Sequence, residues 1–192
     1  VSRALFIADL HLAVERPDAL EQFLRFLRDE AARAQALYVL GDLFESWPGD
    51  DELTAGNAGP LAAEVAAGFK ALAAKEVRVQ IMHGNRDFLV GEGFLAASGA
   101  LLMEDPSVIK FAGRRLALLH GDTLCTDDRD YQDWRRTVRS SAWQREFLAR
   151  PLAERRAAIA VLRERSKEAT AAKPAGIMDV NQEAVREAFR HL

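Results

Sequence analysis

Over roughly its first 122 residues the chain alternates short β-type runs with amphipathic stretches, and no other feature constrains its fold as much. Strands that take turns with helices build a mostly parallel sheet covered by helices. The run "ALFIADL" (Ala4 to Leu10) is the first strand candidate, followed by a predicted helix from Pro17 to Ala34. Leu20, Phe23, Leu24 and Leu27 share one face of that helix, and Pro17 stands in the first turn, where its missing N–H does no harm. "ALYVLGD" is the second strand, Pro60 to Lys75 a second helix carrying Leu61, Val65, Phe69 and Leu72 at helical spacing, and "VRVQIMHGN" the third strand. "VIKFAGRRLALLHGD" reads as a hairpin turning at Ala112-Gly113. From Asp127 to Leu192 strand signal fades, and Ala, Arg, Glu and Leu dominate between breaks at Pro151 and Lys173–Gly176. That region is expected to be helical, with Trp134, Val138, Trp143, Phe147, Leu148, Leu152, Ile159 and Leu162 supplying most of its own core and its many arginines a solvated face.

Each strand of the first region stops in residues that hold cations. The ends are Asp9-Leu10-His11, Gly41-Asp42, Gly84-Asn85-Arg86-Asp87 and His120-Gly121-Asp122. In open α/β sheets ligands gather beyond the carboxyl ends of the strands, so four such turns can converge on one crevice. Carboxylate, imidazole and amide oxygen are the donors that hard-to-borderline divalent metals prefer. Along an extended segment Asp9 and His11 point the same way, since the side-chain period is two. Asp42 has two oxygens and can bridge two ions, and the glycines at 41, 84 and 121 permit sharp turns and close approach. Taken singly each motif has a plain reading: D-x-H a capping Asp beside a half-exposed His, G-D a common turn, G-N-x-D an Asx turn, and H-G-D little more. Four together, each closing a strand, point to a metal centre.

Arg86 sits among these donors. A guanidinium stays charged at any working pH and offers a planar fork of donors to a phosphate; the plain alternative is a surface ion pair with Asp87. His83 and His191 are not counted as ligands. A net charge of −3 on 192 residues argues against a protein that coats nucleic acid. The lone cysteine, Cys125, excludes an intrachain disulfide framework and suits a reducing compartment. No apolar run approaches the roughly 20 residues that span a bilayer, and no signal peptide precedes Val1, so the cytoplasm is the expected address. The chain opens on Val rather than Met and need not be a whole gene product.

The four motifs, in this order, resemble those of the calcineurin-like metallophosphoesterases. Most members carry His where this chain has Arg86. That arginine, with "HGDTLCTDD" (His120 to Asp128), "SKEA" (Ser166 to Ala169), "IMDVNQ" (Ile177 to Gln182), "FIADLHL" and "LGDLFESWPGDD", is similar to the UDP-2,3-diacylglucosamine pyrophosphatase branch of lipid A biosynthesis. The resemblance implies an α/β fold, a four-layer αββα sandwich with a helical lid insertion: core over 1–124, lid over 125–180 and a return helix over 181–192. It implies two Mn²⁺ ions, one on Asp9 and His11, one on Asn85 and His120, with Asp42 between them. Arg86 and Asp42 would be catalytic, and Asn85, Arg86, Asp128, Ser166, Thr170 and Lys173 would hold substrate, with Thr170 standing where the family commonly has Asn. Asp87 and Asp122 would orient the ligating turns and His120. The implied reaction is hydrolysis of UDP-2,3-diacylglucosamine to UMP and 2,3-diacylglucosamine 1-phosphate (lipid X). It would take place in the cytoplasm, with peripheral contact at the cytoplasmic face of the inner membrane. No nucleic acid or obligate protein partner is implied.

The family closes its metal site with a later G-H-x-H motif, and this sequence reaches Leu192 without one, so a further C-terminal part of the core is expected. Two other readings stay open at this point. One is a different dinuclear metallophosphoesterase, a nuclease or phosphodiesterase; the other is a metal-free, non-catalytic scaffold of the same fold.

Overall fold

A computed structural model describes residues 3–55 and 59–192, which divide into two compact units, one ending at His120 and the other running from Gly121 to Leu192. In the first unit strands β1 (Ala4–Ile7), β2 (Ala36–Leu40), β3 (Arg78–Met82) and β4 (Leu101–Met103) form a parallel sheet in the order β1-β2-β3-β4. Tyr38 lies between Phe6 and Gln80 in the register, and Met82 pairs with Met103. Strands β5 (Ser107–Phe111) and β6 (Arg114–Leu118) pair antiparallel as a second, two-stranded sheet. Their turn falls on Ala112 and Gly113, both with positive φ (49° and 76°), as a two-residue hairpin turn of the right twist requires.

Strand alternation sorts the core into two layers. Ala36, Tyr38, Met82, Met103 and Leu118 are buried together, with Ile109 and Leu116 of the hairpin packed against them, so this layer lies between the two sheets. Leu37, Val39, Val79 and Ile81 alternate to the opposite face, where helix α2 (Gly59–Ala73) packs on β3 and on helix α1 (Pro17–Asp29). Phe23 of α1 meets Phe69 of α2 edge-on at 5.8 Å. Helix α1 is shorter than the predicted Pro17–Ala34. Its apolar repeat stops at Leu27, and the chain tightens into a 3₁₀ turn over Ala31–Arg33 before entering β2.

Two elements have no counterpart in the sequence reading: helix α3 (Glu92–Ser98) and strand β4. Seven and three residues are too few for a periodic signal to rise above chance. Helix α3 starts because Asp50, some forty residues earlier, accepts hydrogen bonds from Gly91 N (3.0 Å) and Gly93 N (2.7 Å). It ends at Gly99 in the left-handed conformation, φ 70°.

The second unit is helical throughout its regular elements: α4 (Arg129–Val138), α5 (Ser141–Leu148), α6 (Leu152–Ala172), α7 (Ala175–Met178) and α8 (Gln182–His191). Asp128, Ser140 and Asn181 cap α4, α5 and α8 through side-chain oxygens. Its apolar core is thinner than expected. Val138 and Phe147 are buried and Trp143 stacks on Phe147 at 4.6 Å, but Leu148 is 42% exposed. The fold class is the α/β metallophosphoesterase sandwich with its helical insertion. Within the first unit the described layers are helices, parallel sheet and hairpin.

Candidate metal centre

Three turns meet where β1, β2 and β3 end. Beyond Ile7 the chain leaves the β1 ladder and runs beside the β2 turn: Asp9 N donates to Gly41 O (3.2 Å), His11 N to Asp42 O (3.0 Å) and Leu12 N to Leu43 O (2.9 Å). Glu45 N donates back to Leu12 O (3.0 Å), closing a short bridge in which Leu12 faces Phe44. Asp9, His11 and Asp42 all have positive φ (55°, 49° and 51°). That corrects the sequence argument for Asp9 and His11, which supposed an extended segment. Left-handed kinks bring them together, and strain of this kind collects at functional sites.

Asp87 ties the β2 and β3 turns to each other. Its carboxylate is 1% exposed and accepts from Leu43 N (2.7 Å), Phe44 N (3.3 Å) and Gly84 N (2.9 Å). With Asp87 committed to buried amides, the surface ion pair with Arg86 does not form. Among the described residues the Arg86 guanidinium has no hydrogen-bond or ion-pair partner, while its backbone N donates to Asp42 Oδ1 at 2.8 Å. Two glycines allow the turns to close up. A methyl group on Gly84 would overlap Asp42, and one on Gly41, where φ is 93°, would overlap the His120 ring. His83 braces its own turn, with Nε2 2.7 Å from Val90 O.

His120, at the end of β6, enters from the hairpin sheet. Its Nδ1 lies 2.9 Å from Leu40 O, an acceptor only, so Nδ1 carries the proton and Nε2 keeps its lone pair for the centre. One donor atom each from Asp9, Asp42 and His120 lie within 4.8 Å of one another. His11 Nε2 lies 3.8 Å from Asp42 Oδ2 and 4.0 Å from Asp9 Oδ1, and His120 Nε2 lies 3.9 Å from Asp42 Oδ1. The two histidines therefore address different oxygens of Asp42. Asn85 Oδ1 is 3.4 Å from His120 Nε2, facing acceptors only; turned over, its NH₂ donates to Asp42 Oδ2 at 2.7 Å. Oxygen-inward is the arrangement that a cation among these acceptors would hold. The donor set of carboxylates, imidazoles and one amide fits a divalent first-row metal.

The electrostatics agree. Burial pushes the Asp42 carboxyl up to about 6; the Arg86 amide pulls the other way, the Asp87 charge adds to the rise, and His120 and His11 oppose it. Burial raises the Asp87 carboxyl too, against the amides of Gly84, Phe44 and Leu43. A buried carboxylate pair with two imidazoles beside it is a site where a cation relieves charge.

The remaining candidates lie in the helical unit. Asp128 and Lys173 are brought together from 45 residues apart, with Lys173 Nζ 2.7 Å from both Asp128 oxygens. Ser166 and Thr170 are exposed on α6, one turn apart. Asp122 accepts from Tyr131 Oη (2.6 Å) and Arg135 Nε (2.7 Å), which ties the start of this unit to α4. Sequence reasoning missed Glu45, whose Oε2 is 3.0 Å from His11 Nδ1. Its signal was faint, an acid three residues beyond Asp42 in "GDLFES".

No protein-family model matches the chain. Curated proteins do. The chain is 49% identical over 188 residues to a UDP-2,3-diacylglucosamine hydrolase of Serratia proteamaculans (strain 568), covering 97% of this chain and 76% of that protein. It is 50% identical over 185 residues to the proteins of the same name from Shigella sonnei (strain Ss046) and Escherichia coli O139:H28 (strain E24377A / ETEC), covering 96% of this chain and 75% of each. Identity of this order, over 96–97% of the chain, means that the chain belongs to the UDP-2,3-diacylglucosamine hydrolase family.

Proposed function

We propose that this protein hydrolyses the pyrophosphate of UDP-2,3-diacylglucosamine, giving UMP and 2,3-diacylglucosamine 1-phosphate. The observation that carries the reading is the convergence of Asp9, Asp42 and His120 donors within 4.8 Å, in a chain half identical to hydrolases named for that substrate. Asp9 and His11 would hold one Mn²⁺, Asn85 and His120 the other, and Asp42 would serve both. The support for two ions is the geometry of Asp42, whose Oδ2 faces His11 and whose Oδ1 faces His120. When bound, the ions lower the pKa of a shared water and polarise a phosphoryl oxygen.

The chain's own residues do the rest. Asp42, fixed by the Arg86 amide and buried, keeps its two oxygens apart for two partners. Arg86 presents its guanidinium to the non-bridging oxygens of the diphosphate and stabilises charge that grows as the bond breaks. The leaving group is a phosphate monoester, already a weak base, so an arginine suits this substrate where a proton-donating histidine suits an alkyl ester. Asn85 and Arg86 contact the diphosphate. Asp128, Ser166, Thr170 and Lys173 contact the glucosamine and its phosphate; Ser166 and Thr170 stand one turn apart on α6, and Lys173 follows at its C-cap.

An acylated substrate is drawn from a bilayer, so peripheral contact with the cytoplasmic face of the inner membrane belongs to the same proposal. No described helix is long and apolar enough to cross a membrane. Contact at the surface should appear as co-sedimentation with anionic vesicles at low salt.

The test is product analysis with the UDP-linked diacyl sugar and Mn²⁺. Equimolar UMP and diacylglucosamine 1-phosphate are expected, with turnover lost in Asp42→Ala. Release that ignores the metal, or survives that substitution, overturns the reading.

A further inference from the structure

We infer that Asn181 is a positioning residue for substrate: it fastens the far end of the helical unit to the turn that bears Asp128, and so keeps Lys173 set against Asp128. That role rests on the reading above, in which Asp128 and Lys173 contact the glucosamine and its phosphate. The unit's chain starts through residues 122–128, passes along α4, α5 and α6, and comes back to that first turn at two points. Lys173 Nζ bonds both Asp128 oxygens at 2.7 Å. Asn181 makes the second link. Its backbone N donates to Leu124 O (2.9 Å), and its Nδ2 donates to both oxygens of Asp127, at 3.1 and 2.9 Å.

The partners fix which way the Asn181 amide faces. Its Oδ1 accepts from Glu183 N (2.9 Å) and Ala184 N (3.1 Å) in the first turn of α8, and backbone amides only donate. The NH₂ is therefore turned to the Asp127 carboxylate, which only accepts. A helix cap by itself asks for no more than an oxygen, as Asp or Ser would supply. The grip on Asp127 asks for the NH₂ as well, so this position does more than start a helix. The turn it grips is firm on its other side. Gln132 Nε2 donates to Asp122 O (2.7 Å) and Cys125 O (3.1 Å), and Asp128 Oδ1 caps α4 through Tyr131 N (3.1 Å). Lys173 brings a long flexible stem whose side chain is 23% exposed, so its pair with Asp128 is a weak clasp alone. The tether at Asn181, just beyond α7, keeps that ammonium within reach of its carboxylate.

The test compares the unaltered protein with Asn181→Asp, and with Asn181→Asp combined with Asp127→Asn. The single change keeps an oxygen to cap α8 and the backbone bond to Leu124, but sets one carboxylate against another. With UDP-2,3-diacylglucosamine and Mn²⁺ its KM is expected to rise about tenfold, as for one lost hydrogen bond to a charged group. Its kcat and its calorimetric Mn²⁺ affinity are expected to hold, and amide hydrogen exchange over residues 173–181 to quicken. The double change rebuilds an amide–carboxylate pair with its ends exchanged, and is expected to bring KM and exchange back. If Asn181→Asp fails to fold, Asn181→Ser carries the same expectation, its hydroxyl capping α8 but too short to grip both Asp127 oxygens. Quickened exchange with an unchanged KM overturns the positioning role and leaves the hydrolase reading standing. So does a KM that stays high in the double variant after its exchange has recovered. Failure of the unaltered protein to hydrolyse this substrate overturns both.

Discussion

Asp42 is 2% exposed and lies between two imidazoles and a second buried carboxylate, so its charge governs how the metal-free protein responds to pH. The folded chain holds the Asp42 proton to about 6, the unfolded chain only to about 4. Between those values the folded state binds more protons. Stability without metal therefore falls as pH rises through that window, by about 3 kcal/mol from this group, and is level above it. Asp42→Asn removes the charge and keeps an oxygen for the Arg86 amide. With chelator at about pH 8 it should unfold at higher denaturant than the unaltered protein, the gap closing near pH 4. A variant less stable at pH 8 contradicts the assignment. Arg86 gives a second prediction at this scale. Its guanidinium has no described partner to lose, so Arg86→Lys should fold normally and lower kcat by about 10²-fold, since an ammonium cannot grip two oxygens with one planar fork. Equal kcat with raised KM would assign Arg86 to binding alone. Asp9, Asp42 and His120 were legible because the donor types sit where β-type runs stop. The left-handed backbone at Asp9 and His11 was not, because period-two reasoning fails once the β1 ladder ends at Ile7.

At the scale of elements, the centre is made by turns that press on one another. Asp87 holds the β2 and β3 turns through three amides, and the glycines remove the side chains that would separate them. Gly84→Ala tests this directly. Its methyl would meet the Asp42 carboxylate and backbone N, neither of which can swing away as the end of a long side chain could. The expected cost is about 1–3 kcal/mol of stability together with a loss of Mn²⁺ affinity by calorimetry. Gly113→Ala is the control, since nothing lies within 4 Å of the added methyl there. It should spare the metal, although its positive φ costs some stability in the hairpin. If both variants bind Mn²⁺ alike, close approach at Gly84 is not what shapes the site. The glycines could be read as turn formers from the sequence, but which neighbour each would touch could not, because that depends on three turns meeting. The same limit hid α3. Its first amides are capped by Asp50 from another loop, a contact that no local pattern records.

For the molecule as a whole, the change from strand–helix alternation to helix alone near residue 122 was readable in composition, whereas the thin apolar core of the helical unit was not. Leu148 sits at a position that periodicity assigns to the core and is 42% exposed, and short helices leave few turns over which a face can be averaged. The difference between the units bears on stability. All three donors of the compact cluster, Asp9, Asp42 and His120, belong to the unit that ends at His120. Metal binding therefore adds its free energy to that unit's folding, by RT ln(1 + [M]/Kd), about 2.7 kcal/mol at a hundredfold excess over Kd. For a chain of this size that is a rise in melting temperature of about 5–10 °C. Mn²⁺ should produce the rise in the unaltered protein and chelator should reverse it. In Asp42→Ala, which removes the carboxylate both histidines face, the melting temperature should not respond to Mn²⁺ at any concentration that leaves the protein soluble. A metal-dependent rise of equal size in that variant would place the stabilising ion somewhere other than among these turns, and with it the proposed site of hydrolysis.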